Sequence, residues 1–481
     1  MNFKMLGKFL GSVLFIEAAL LLFPLTVALI YKEPALPFLI TIFILLCVSL
    51  PTMQIKPKRK RIYAKEGFVC TALAWILLSV FGALPFVISG AIPNYIDALF
   101  ETVSGFTTTG ASVIAPGGIE AIPKGILFWR SFTHWIGGMG ILVFMLALTP
   151  GSDGNVFLMR AEVPGPMKDK LVPKLKDSSL ILYVIYLSLT LLEIIALLLV
   201  RMPLYDSIIN AFGTMGTGGF SVLNDSIAGY NNPAAEWIIA VFLLLAGINY
   251  NMYFFMLIRK FGEVRKNEEL KVYLGITLLS TVLITLNLFY NSVQYTSVGV
   301  AIRHAFFQVT SIMSTAGFTT ASFNTWPNFS QLLILLLMFI GACAGSTAGG
   351  FKISRMIIIL KSIKRDVRKI FKPNSVKTLR LDKEPLLEDT VKSALSYLSV
   401  YFVILMASVL LLSVEGKDML TTSTVVISCF NNVGPAFGEA FLGCYGFSYL
   451  SKIFLSVLML FGRLEIMPMM VLLSPSTWRK N

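Results

Sequence analysis

Four short strips of small and polar residues, each ending in glycine, are the part of this sequence best suited to chemistry. They occupy residues 107–110, 216–219, 314–317 and 431–434, and their last residues are Gly110, Gly219, Gly317 and Gly434. These glycines lie about one hundred residues apart, and self-similarity at a fixed spacing is typical of a repeated structural unit. We therefore interpret the strips as four versions of one element.

Strips of this kind can coordinate a cation through backbone oxygens. Rings of carbonyl groups can replace the hydration shell of an ion, and glycine allows the positive φ that turns successive carbonyls to one side. Side chains such as Thr217, Thr315 and Asn432 can hydrogen-bond behind the strips and fix their shape. The candidate cation ligands are Thr108, Thr109, Gly110, Gly218, Gly219, Ala316, Gly317, Val433 and Gly434.

Each strip follows an apolar segment that is too short to cross a bilayer. Segments of about 10–14 apolar residues between two spans are typical of re-entrant helices, and irregular backbone is tolerated at membrane depth only inside protein or beside water. The carbonyl end of each short helix would face its strip, where partial negative charge favours a cation. One such strip alone is typical of an ordinary loop, whereas four in the same frame favour a shared pore.

The composition is that of a membrane protein. The chain of 481 residues is 56% hydrophobic and 14% charged, whereas about 25% charged residues is usual for a soluble domain. Five cysteines without a CxxC pair indicate neither a disulfide framework nor a zinc site. With only two histidines and no cluster of acids, the sequence predicts no enzyme.

The apolar runs predict an all-α polytopic membrane protein with two leading spans and four tandem span–pore helix–span repeats. The leading spans are predicted at residues 9–30 and 36–55. The outer spans of the repeats are predicted at residues 67–88, 180–200, 272–290 and 394–412, and the inner ones at 126–148, 237–258, 332–360 and 450–473. The corresponding division is residues 1–62 for the leading spans and 63–177, 178–268, 269–388 and 389–481 for repeats one to four.

The net charge of +14 is concentrated in every second loop. Basic residues cluster at 56–61, 152–176, 259–266 and 361–372, and such loops face the cytoplasm in membrane proteins. This rule predicts ten spans, two cytoplasmic termini and four strips that open from the outer face. A nucleic-acid patch at 56–61 is the lesser alternative because the cluster follows a span directly, and no nucleic-acid partner is predicted.

A glycine-rich run, residues 345–350, interrupts the long apolar region of repeat three. It approaches the phosphate-loop pattern, but Phe351 stands where that pattern needs lysine. A kinked, tightly packed helix is the other local interpretation. Lys352 and Arg355 would then lie toward the cytoplasmic end.

Arg463 lies within the last predicted span. A charge at this depth costs at least ~2.5–3.5 kcal/mol and must face water or a partner. It is either an electrostatic barrier inside the pore or one half of a salt bridge to a neighbouring helix. Glu465 would point to nearly the opposite face and need not pair with it.

The remaining ionisable residues are expected to be structural. His134 and His304 are interpreted as packing or interfacial residues rather than a proton relay. Asp97, Glu101 and Asp225 are expected at a solvated outer rim, where they could also concentrate cations.

Taken together, these motifs resemble the superfamily of potassium transporters that includes the Trk, Ktr and plant HKT proteins. The two leading spans resemble the Trk branch, as do Arg160-Ala161-Glu162 with Pro164-Gly165, Gly345-Ser346-Thr347-Ala348-Gly349-Gly350 and Gly462-Arg463-Leu464-Glu465. The likeness covers essentially the whole chain and implies a pseudo-tetrameric, potassium-channel-like pore with one filter glycine per repeat. Sodium-preferring plant relatives have serine at the first of these glycines.

The same resemblance implies a gate and partners. The gate would be a flexible intramembrane loop acting with an arginine, carried here by Gly345, Ser346, Thr347, Gly349, Gly350 and Arg463. A homodimer is implied, as is a cytosolic nucleotide-binding regulatory subunit docked on residues 152–176 and 361–372. Positive-inside topology accounts equally well for the charge of those loops.

The expected function is potassium uptake across the bacterial plasma membrane, with potassium ion as the bound species and membrane lipid as the surroundings. The membrane potential supplies ~2.3 kcal/mol per charge per 100 mV, so no ATP site is needed in this chain. An ion-coupled symporter is the first alternative and predicts acids at the bilayer midplane. A membrane-embedded enzyme is the second and would need convergent acids, histidines or a metal set.

Overall fold

The computed structural model describes residues 1–56, 64–140, 175–292, 295–372 and 378–479. Regular structure in this part of the chain is almost entirely helical, and the predicted fold class is confirmed. The basic cluster at 57–61, the motif at 160–165 and most of the 152–176 loop lie outside the described residues.

The leading segment forms three helices that pack against repeat one. They are α1 (Phe3–Leu20), α2 (Leu22–Ile30) and α3 (Leu36–Met53). The carboxylate of Glu17 on α1 is buried at this contact, and a Cβ placed on Gly82 would lie 3.1 Å from its Oε1 atom. The two leading spans are therefore part of the packed body of the protein.

Each repeat has an outer helix, a short helix and an inner helical region. Repeat one has α4 (Ala64–Gly82), α5 (Leu84–Ile88), α6 (Tyr95–Phe106) and α7 (Lys124–Met139). Repeat two has α8 (Leu175–Leu199), α9 (Leu204–Met215), α10 (Pro233–Ala246), α11 (Tyr250–Leu257) and α12 (Phe261–Lys266). Repeat three has α13 (Glu268–Asn291), α14 (Val298–Met313), α15 (Asn328–Ile340) and α16 (Ile353–Phe371). Repeat four has α17 (Glu388–Leu412), α18 (Met419–Asn431), α19 (Tyr449–Arg463), α20 (Met467–Leu473) and α21 (Pro475–Trp478).

Short 3₁₀ helices and one hairpin complete the regular structure of the described residues. The 3₁₀ helices are Ile119–Ala121, Ser226–Tyr230, Phe323–Thr325, Ser413–Glu415 and Gly438–Leu442. The hairpin pairs β1 (Arg380–Leu381) with β2 (Glu384–Pro385) in antiparallel register. The sequence analysis did not predict this hairpin because two-residue strands carry no periodic signal.

The inner spans are broken, which corrects the sequence prediction. By length and composition, six helices of the described residues could cross a membrane, or seven if the bent pair α10–α11 counts as one. The spans predicted at 237–258 and 450–473 are each interrupted. Helices α10 and α11 meet at 91°, and α19 and α20 are separated by Leu464, Glu465 and Ile466. The predicted span at 126–148 is helical to Met139, and residues 141–148 lie outside the described part.

A tertiary hydrogen bond accompanies the first of these breaks, and left-handed backbone accompanies the second. At the α10–α11 bend, the Gly247 carbonyl accepts a hydrogen bond from Cys343 N at 3.1 Å, and the Asn249 side chain caps α11 through Asn251 N at 2.9 Å. Near α20, Glu465 and Ile466 adopt φ values of 57° and 65°. Interrupted backbone is tolerated at membrane depth where protein satisfies its polar groups.

Polar residues are buried and large apolar residues are exposed on the outer spans. Leu199, Leu278 and Val403 are 80%, 68% and 68% exposed, whereas Thr107, Thr217 and Thr315 are fully buried. This distribution suits a protein surrounded by lipid with a polar interior.

Candidate ion pathway

The four glycine strips share one unusual backbone conformation. Their second residues, Thr108, Thr217, Thr315 and Asn432, have φ of 56°, 55°, 58° and 56°. Their glycines, Gly110, Gly219, Gly317 and Gly434, have φ of 80°, 79°, 80° and 98°. Two positive φ values within three residues turn the intervening peptides the same way. The glycine conformation was predicted, but the left-handed threonines were not, because β-branched residues rarely adopt it.

A pore helix ends immediately before each strip and holds it by the same hydrogen bond. The pore helices are α6, α9, α14 and α18. The N–H of the third strip residue donates to a helix carbonyl five residues earlier in every repeat: Thr109 to Ser104 at 2.9 Å, Gly218 to Gly213 at 2.8 Å, Ala316 to Ser311 at 2.9 Å, and Val433 to Ser428 at 2.9 Å. The strip amides thus bond backwards to the helix.

The structure brings the four strips together in a closed ring. A Cβ on Gly110 would meet the carbonyl oxygen of Gly218 in the next repeat, closer than side-chain carbons approach carbonyl oxygens in proteins. The same holds for Gly219 against Ala316, Gly317 against Val433, and Gly434 against Thr109. Each glycine therefore stands beside the third-residue carbonyl of its neighbour, in the cyclic order one, two, three, four, one. A side chain at any of these positions would strike the ring.

Side chains behind the ring connect the strips. Asn432 Nδ2 donates to Thr109 Oγ1 at 2.9 Å and to the Met459 carbonyl at 2.9 Å, which joins strip four to strip one and to α19. Thr109 Oγ1 also lies 2.8 Å from Thr107 Oγ1. These contacts fit the predicted supporting role of the strip hydroxyls and amides.

The two histidines pack within the protein. His134 is fully buried, its Nδ1 lies 2.7 Å from the Gly105 carbonyl, and its ring stacks on Phe220 at 4.1 Å between centroids. His304 Nδ1 lies 3.0 Å from Thr320 Oγ1.

Two of the acids expected on a solvated rim are in ion pairs instead. Glu101 is fully buried and its Oε1 lies 2.6 Å from Arg130 Nε. Asp97 pairs with Lys452 Nζ at 2.7 Å. The rim prediction is wrong for Glu101, which is buried against the inner helix α7. Asp97 is paired but remains 21% exposed, and Asp225 is exposed as expected.

The connection between α15 and α16, residues 341–352 and named here the 341–352 loop, packs against the ring. Gly345 and Gly350 have φ of 71° and 79°. Gly349 N donates to Thr315 Oγ1 at 2.7 Å, so this loop is bonded directly to strip three. Its Thr347 hydroxyl donates to the Ala246 carbonyl at 3.3 Å, where repeat two bends.

Arg463 connects this loop to repeat one. Its Nη1 donates to the Thr347 carbonyl at 2.7 Å, and its Nη2 donates to the Gly137 and Gly138 carbonyls at 2.6 Å each. The guanidinium is thus held by backbone oxygens from two repeats. Glu465 pairs with Arg355, in keeping with the predicted opposite orientation of Glu465.

Glu269, at the start of α13, is a site residue that the sequence analysis missed. It is 6% exposed, and its Oε1 accepts from Ala344 N at 2.7 Å and from Ser354 N at 3.0 Å. One carboxylate therefore holds both ends of the 341–352 loop. An acid that follows directly on Glu268 resembles an ordinary first-turn helix residue, and only its burial distinguishes it.

Side-chain metal sites are not found in the described residues: no three His, Cys, Asp or Glu side chains lie close enough to hold a metal ion. The oxygens that converge in the strips belong to the backbone. Such a ring can coordinate an alkali cation.

Comparisons with known proteins agree with this architecture. Residues 37–480 match the family model described as "TrkH: Cation transport protein". The sequence is 36% identical to the Trk system potassium uptake protein TrkH of Escherichia coli K12 over 489 residues and 36% identical to that of Vibrio parahaemolyticus over 490, with full coverage of all chains. The crystal structure of the potassium transporter TrkH from Vibrio parahaemolyticus superposes with a TM-score of 0.88, at 33% identity and full coverage of both chains.

Proposed function

The chain belongs to the TrkH family of cation transport proteins, and from this premise we propose that it takes potassium ions into the bacterial cell across the inner membrane. The observation that carries this proposal is the closed ring of four glycine strips. Relatives that match over their full length are named potassium uptake proteins. Transport, rather than an enzymatic reaction, is the proposed activity.

Potassium is the proposed substrate of the ring. The carbonyl groups of Thr108, Thr109 and Gly110 in strip one would replace water around the ion, together with their equivalents in the other strips. Those equivalents are Gly218, Gly219, Ala316, Gly317, Val433 and Gly434. The negative ends of the four pore helices add favourable potential, and the membrane potential drives the ion inward.

The 341–352 loop and Arg463 form the proposed gate. Gly349 is bonded to strip three, and Thr347 is bonded to Arg463, which also holds repeat one. A positive guanidinium below the ring would oppose a cation leaving it. Glycines at 345, 349 and 350, with the small Ser346, would allow the loop to rearrange when the pathway opens.

The orientation and partners follow from charge and from the family. Basic loops at 152–176 and 361–372 would face the cytoplasm, with both termini on that side and the four repeats divided as predicted. These loops are the proposed contact for a cytosolic nucleotide-binding subunit. A homodimer embedded in membrane lipid completes the proposal.

Uptake in cells that lack their own potassium systems tests this function. We expect expression of the chain to restore growth at limiting potassium and to give potassium uptake faster than sodium uptake. Purified protein in proteoliposomes should carry potassium when a negative interior potential is imposed. Normal insertion without potassium flux in either assay would contradict the proposal.

Coupled uptake with sodium or protons is the second candidate. The carboxylates of Glu17 and Glu193 are 1% and 0% exposed within spanning helices, and ionisable groups at such depth often mark ion pathways. At a fixed membrane potential, potassium uptake through an uncoupled pathway should not depend on a pH or sodium gradient. A gradient that drives potassium against its own electrochemical gradient would favour symport.

A further inference from the structure

A basic cleft lies at the inner end of α16, away from the ring. Its volume is about 260 Å³, and six of the described residues that line it are lysine or arginine. They are Lys361, Lys364, Arg365, Arg368, Lys369 and Arg380. None of the described residues that line the cleft is Asp or Glu.

One wall of the cleft is formed by Thr378, Leu379 and Arg380, where the chain enters the hairpin. Leu379 and Leu381 are 8% and 3% exposed, so the hairpin is packed onto the protein. Asp382 at its turn accepts a hydrogen bond from Glu268 N at 2.8 Å, which fixes the hairpin to the start of α13. The cleft is therefore a preformed space between two anchored elements.

The acids around the cleft neutralise only part of its charge. Lys361 pairs with Glu268, and Arg365 pairs with Asp366 and Glu388. The other four cations form no ion pair within the described residues: Lys364, Arg368, Lys369 and Arg380. Cytoplasmic orientation requires basic residues in this segment, but it does not require them to converge on one cleft.

We propose that this cleft binds a phosphate-bearing anion. Arginine presents a planar fork that matches phosphate oxygens, and lysine adds compact positive charge. A ligand with one or two phosphoryl groups would separate the converging cations and satisfy their donors. Both a soluble phosphate compound and the headgroup of an anionic lipid in the inner leaflet carry this chemistry.

The cleft is connected to the proposed gate. Helix α16 begins directly after the 341–352 loop, and the twelve-residue step from Ile353 to Arg365 is roughly 18 Å of helix. The hairpin contacts Glu268, and the adjacent Glu269 holds both ends of that loop. An anion that fixes α16 against the hairpin would therefore change the flux, a consequence that rests on the proposed function.

Binding is tested first, with inorganic pyrophosphate as the soluble probe. Calorimetric titration of the purified full chain should give saturable binding. The double variant Arg368→Gln/Arg380→Gln should weaken it at least tenfold. Arg265→Gln/Lys372→Gln is the matched control, because it removes two exposed cytoplasmic-side charges that do not line the cleft, and it should leave binding unchanged.

A second measurement needs no variant. Bound pyrophosphate should protect Lys364 and Lys369, but not Lys372, from acetylation in the unaltered protein. If pyrophosphate does not bind, a fluorescent phosphatidylglycerol analogue in mixed micelles replaces it, and binding lost only in the cleft variant would identify a lipid headgroup. Equal weakening in both double variants, or no saturable binding of either probe, would overturn the proposal.

Flux is measured last, in proteoliposomes, with and without the probe that binds. We expect the probe to change the potassium flux of the unaltered chain at least threefold and to have no such effect on the cleft variant. Absence of flux under all conditions would refute the proposed transport function, while the binding titration would still decide whether the cleft is an anion site.

Discussion

The second residue of each strip is under backbone strain. Thr108, Thr217 and Thr315 hold positive φ, a conformation that costs a β-branched residue on the order of 1–3 kcal/mol and persists only where its surroundings impose it. These three threonines, with Asn432 in the same conformation in the fourth strip, indicate that this geometry is imposed by the ring. It orients the peptide groups between the pore helix and the glycine.

Serine in place of Gly110 should reduce the preference for potassium over sodium. Its Cβ would strike the Gly218 carbonyl and would also require φ of 80°, so the ring must distort. We expect the potassium-to-sodium flux ratio in proteoliposomes to fall about tenfold, equivalent to ~1.4 kcal/mol.

Gly117→Ser is the matched control for this change. Gly117 also has positive φ, at 85°, but a Cβ there meets nothing within 4 Å. Its flux ratio should remain that of the unaltered chain. An unchanged ratio in Gly110→Ser would count against the assignment of the ring as a filter.

Replacing Arg463 with alanine should raise the resting flux. The change removes charge-assisted hydrogen bonds to Thr347, Gly137 and Gly138, each worth about 1.5–3 kcal/mol, and it removes a positive charge below the ring. We expect a resting potassium flux several-fold above that of the unaltered chain.

Arg463→Lys separates the two effects. Lysine keeps the charge, but its single ammonium group cannot reproduce the guanidinium fork that reaches both repeats. Low flux in the lysine variant would indicate an electrostatic barrier, and intermediate flux would indicate a hydrogen-bonded latch. Lower flux in Arg463→Ala at normal expression would argue against both.

At the scale of the elements, the inner helical regions are interrupted where the proposed gate lies. The bend at residues 247–249, the 341–352 loop and the break at Leu464–Ile466 come from three different repeats. Backbone hydrogen bonds join the first two: Cys343 N donates to the Gly247 carbonyl at 3.1 Å, and Tyr250 N donates to the Gly345 carbonyl at 3.0 Å. The Arg463 side chain, next to the third, donates to the Thr347 carbonyl of the loop. A rearrangement of the loop would therefore involve repeats two, three and four together.

Loss of the Glu269 carboxylate should loosen the 341–352 loop. Glu269→Ala leaves Ala344 N and Ser354 N without their acceptor, and each buried unsatisfied donor costs about 1–3 kcal/mol. We expect higher resting flux and greater amide hydrogen exchange at residues 344–354. Glu269→Gln keeps an acceptor oxygen, so its resting flux and hydrogen exchange should lie between those of the unaltered chain and Glu269→Ala.

Glu263→Ala provides the control for Glu269. Glu263 pairs with Lys266 at the surface, with both side chains about half exposed, and its loss should not affect hydrogen exchange in the loop. If Glu269→Ala also leaves hydrogen exchange in the 341–352 loop unchanged, the Glu269 carboxylate does not hold that loop in place.

On the scale of the whole molecule, ion pairs join separate segments around the ring. Arg130 on α7 pairs with Glu101 on α6 and donates to the Ser221 carbonyl, just beyond strip two, at 3.2 Å. Arg303 on α14 pairs with Glu236 on α10 at 2.9 Å. The Arg130–Ser221 and Arg303–Glu236 contacts connect neighbouring repeats.

Breaking the buried pair should destabilise the whole protein. Arg130 and Glu101 are 3% and 0% exposed, so Arg130→Met leaves a buried carboxylate uncompensated at a cost of about 3–5 kcal/mol. We expect a clearly lower apparent melting temperature in detergent. Arg130→Met/Glu101→Leu should recover part of the loss.

Lys266→Met tests whether any lost ion pair has this effect. Its exposed pair with Glu263 should contribute less than about 1 kcal/mol, and the melting temperature should hardly move. A similar fall in both single variants would show that burial does not set the cost at Arg130.

The repeat frame, the fold class and the four glycine positions could be predicted from the order of residues alone. These predictions depend on local properties of the chain. They are the length of each apolar run, the charge of each loop and the conformational freedom of glycine. The glycine strips and the 345–350 run were therefore visible without a structure. Arg463 could be singled out because burying a charge in a membrane costs free energy, but the sequence did not show which groups it would contact.

The contacts between these elements could be seen only in the folded protein. Each of the main contacts joins residues that are distant in the sequence. They are the closure of the ring, the hydrogen bonds from Arg463 to backbone carbonyls, the hydrogen bonds from the 341–352 loop to Glu269, and the buried ion pair of Glu101. The breaks in the inner helices are of the same kind, since a helix can end at membrane depth only when another segment satisfies its backbone. These contacts could not be predicted because long-range hydrogen bonds produce no periodic pattern in the amino-acid sequence.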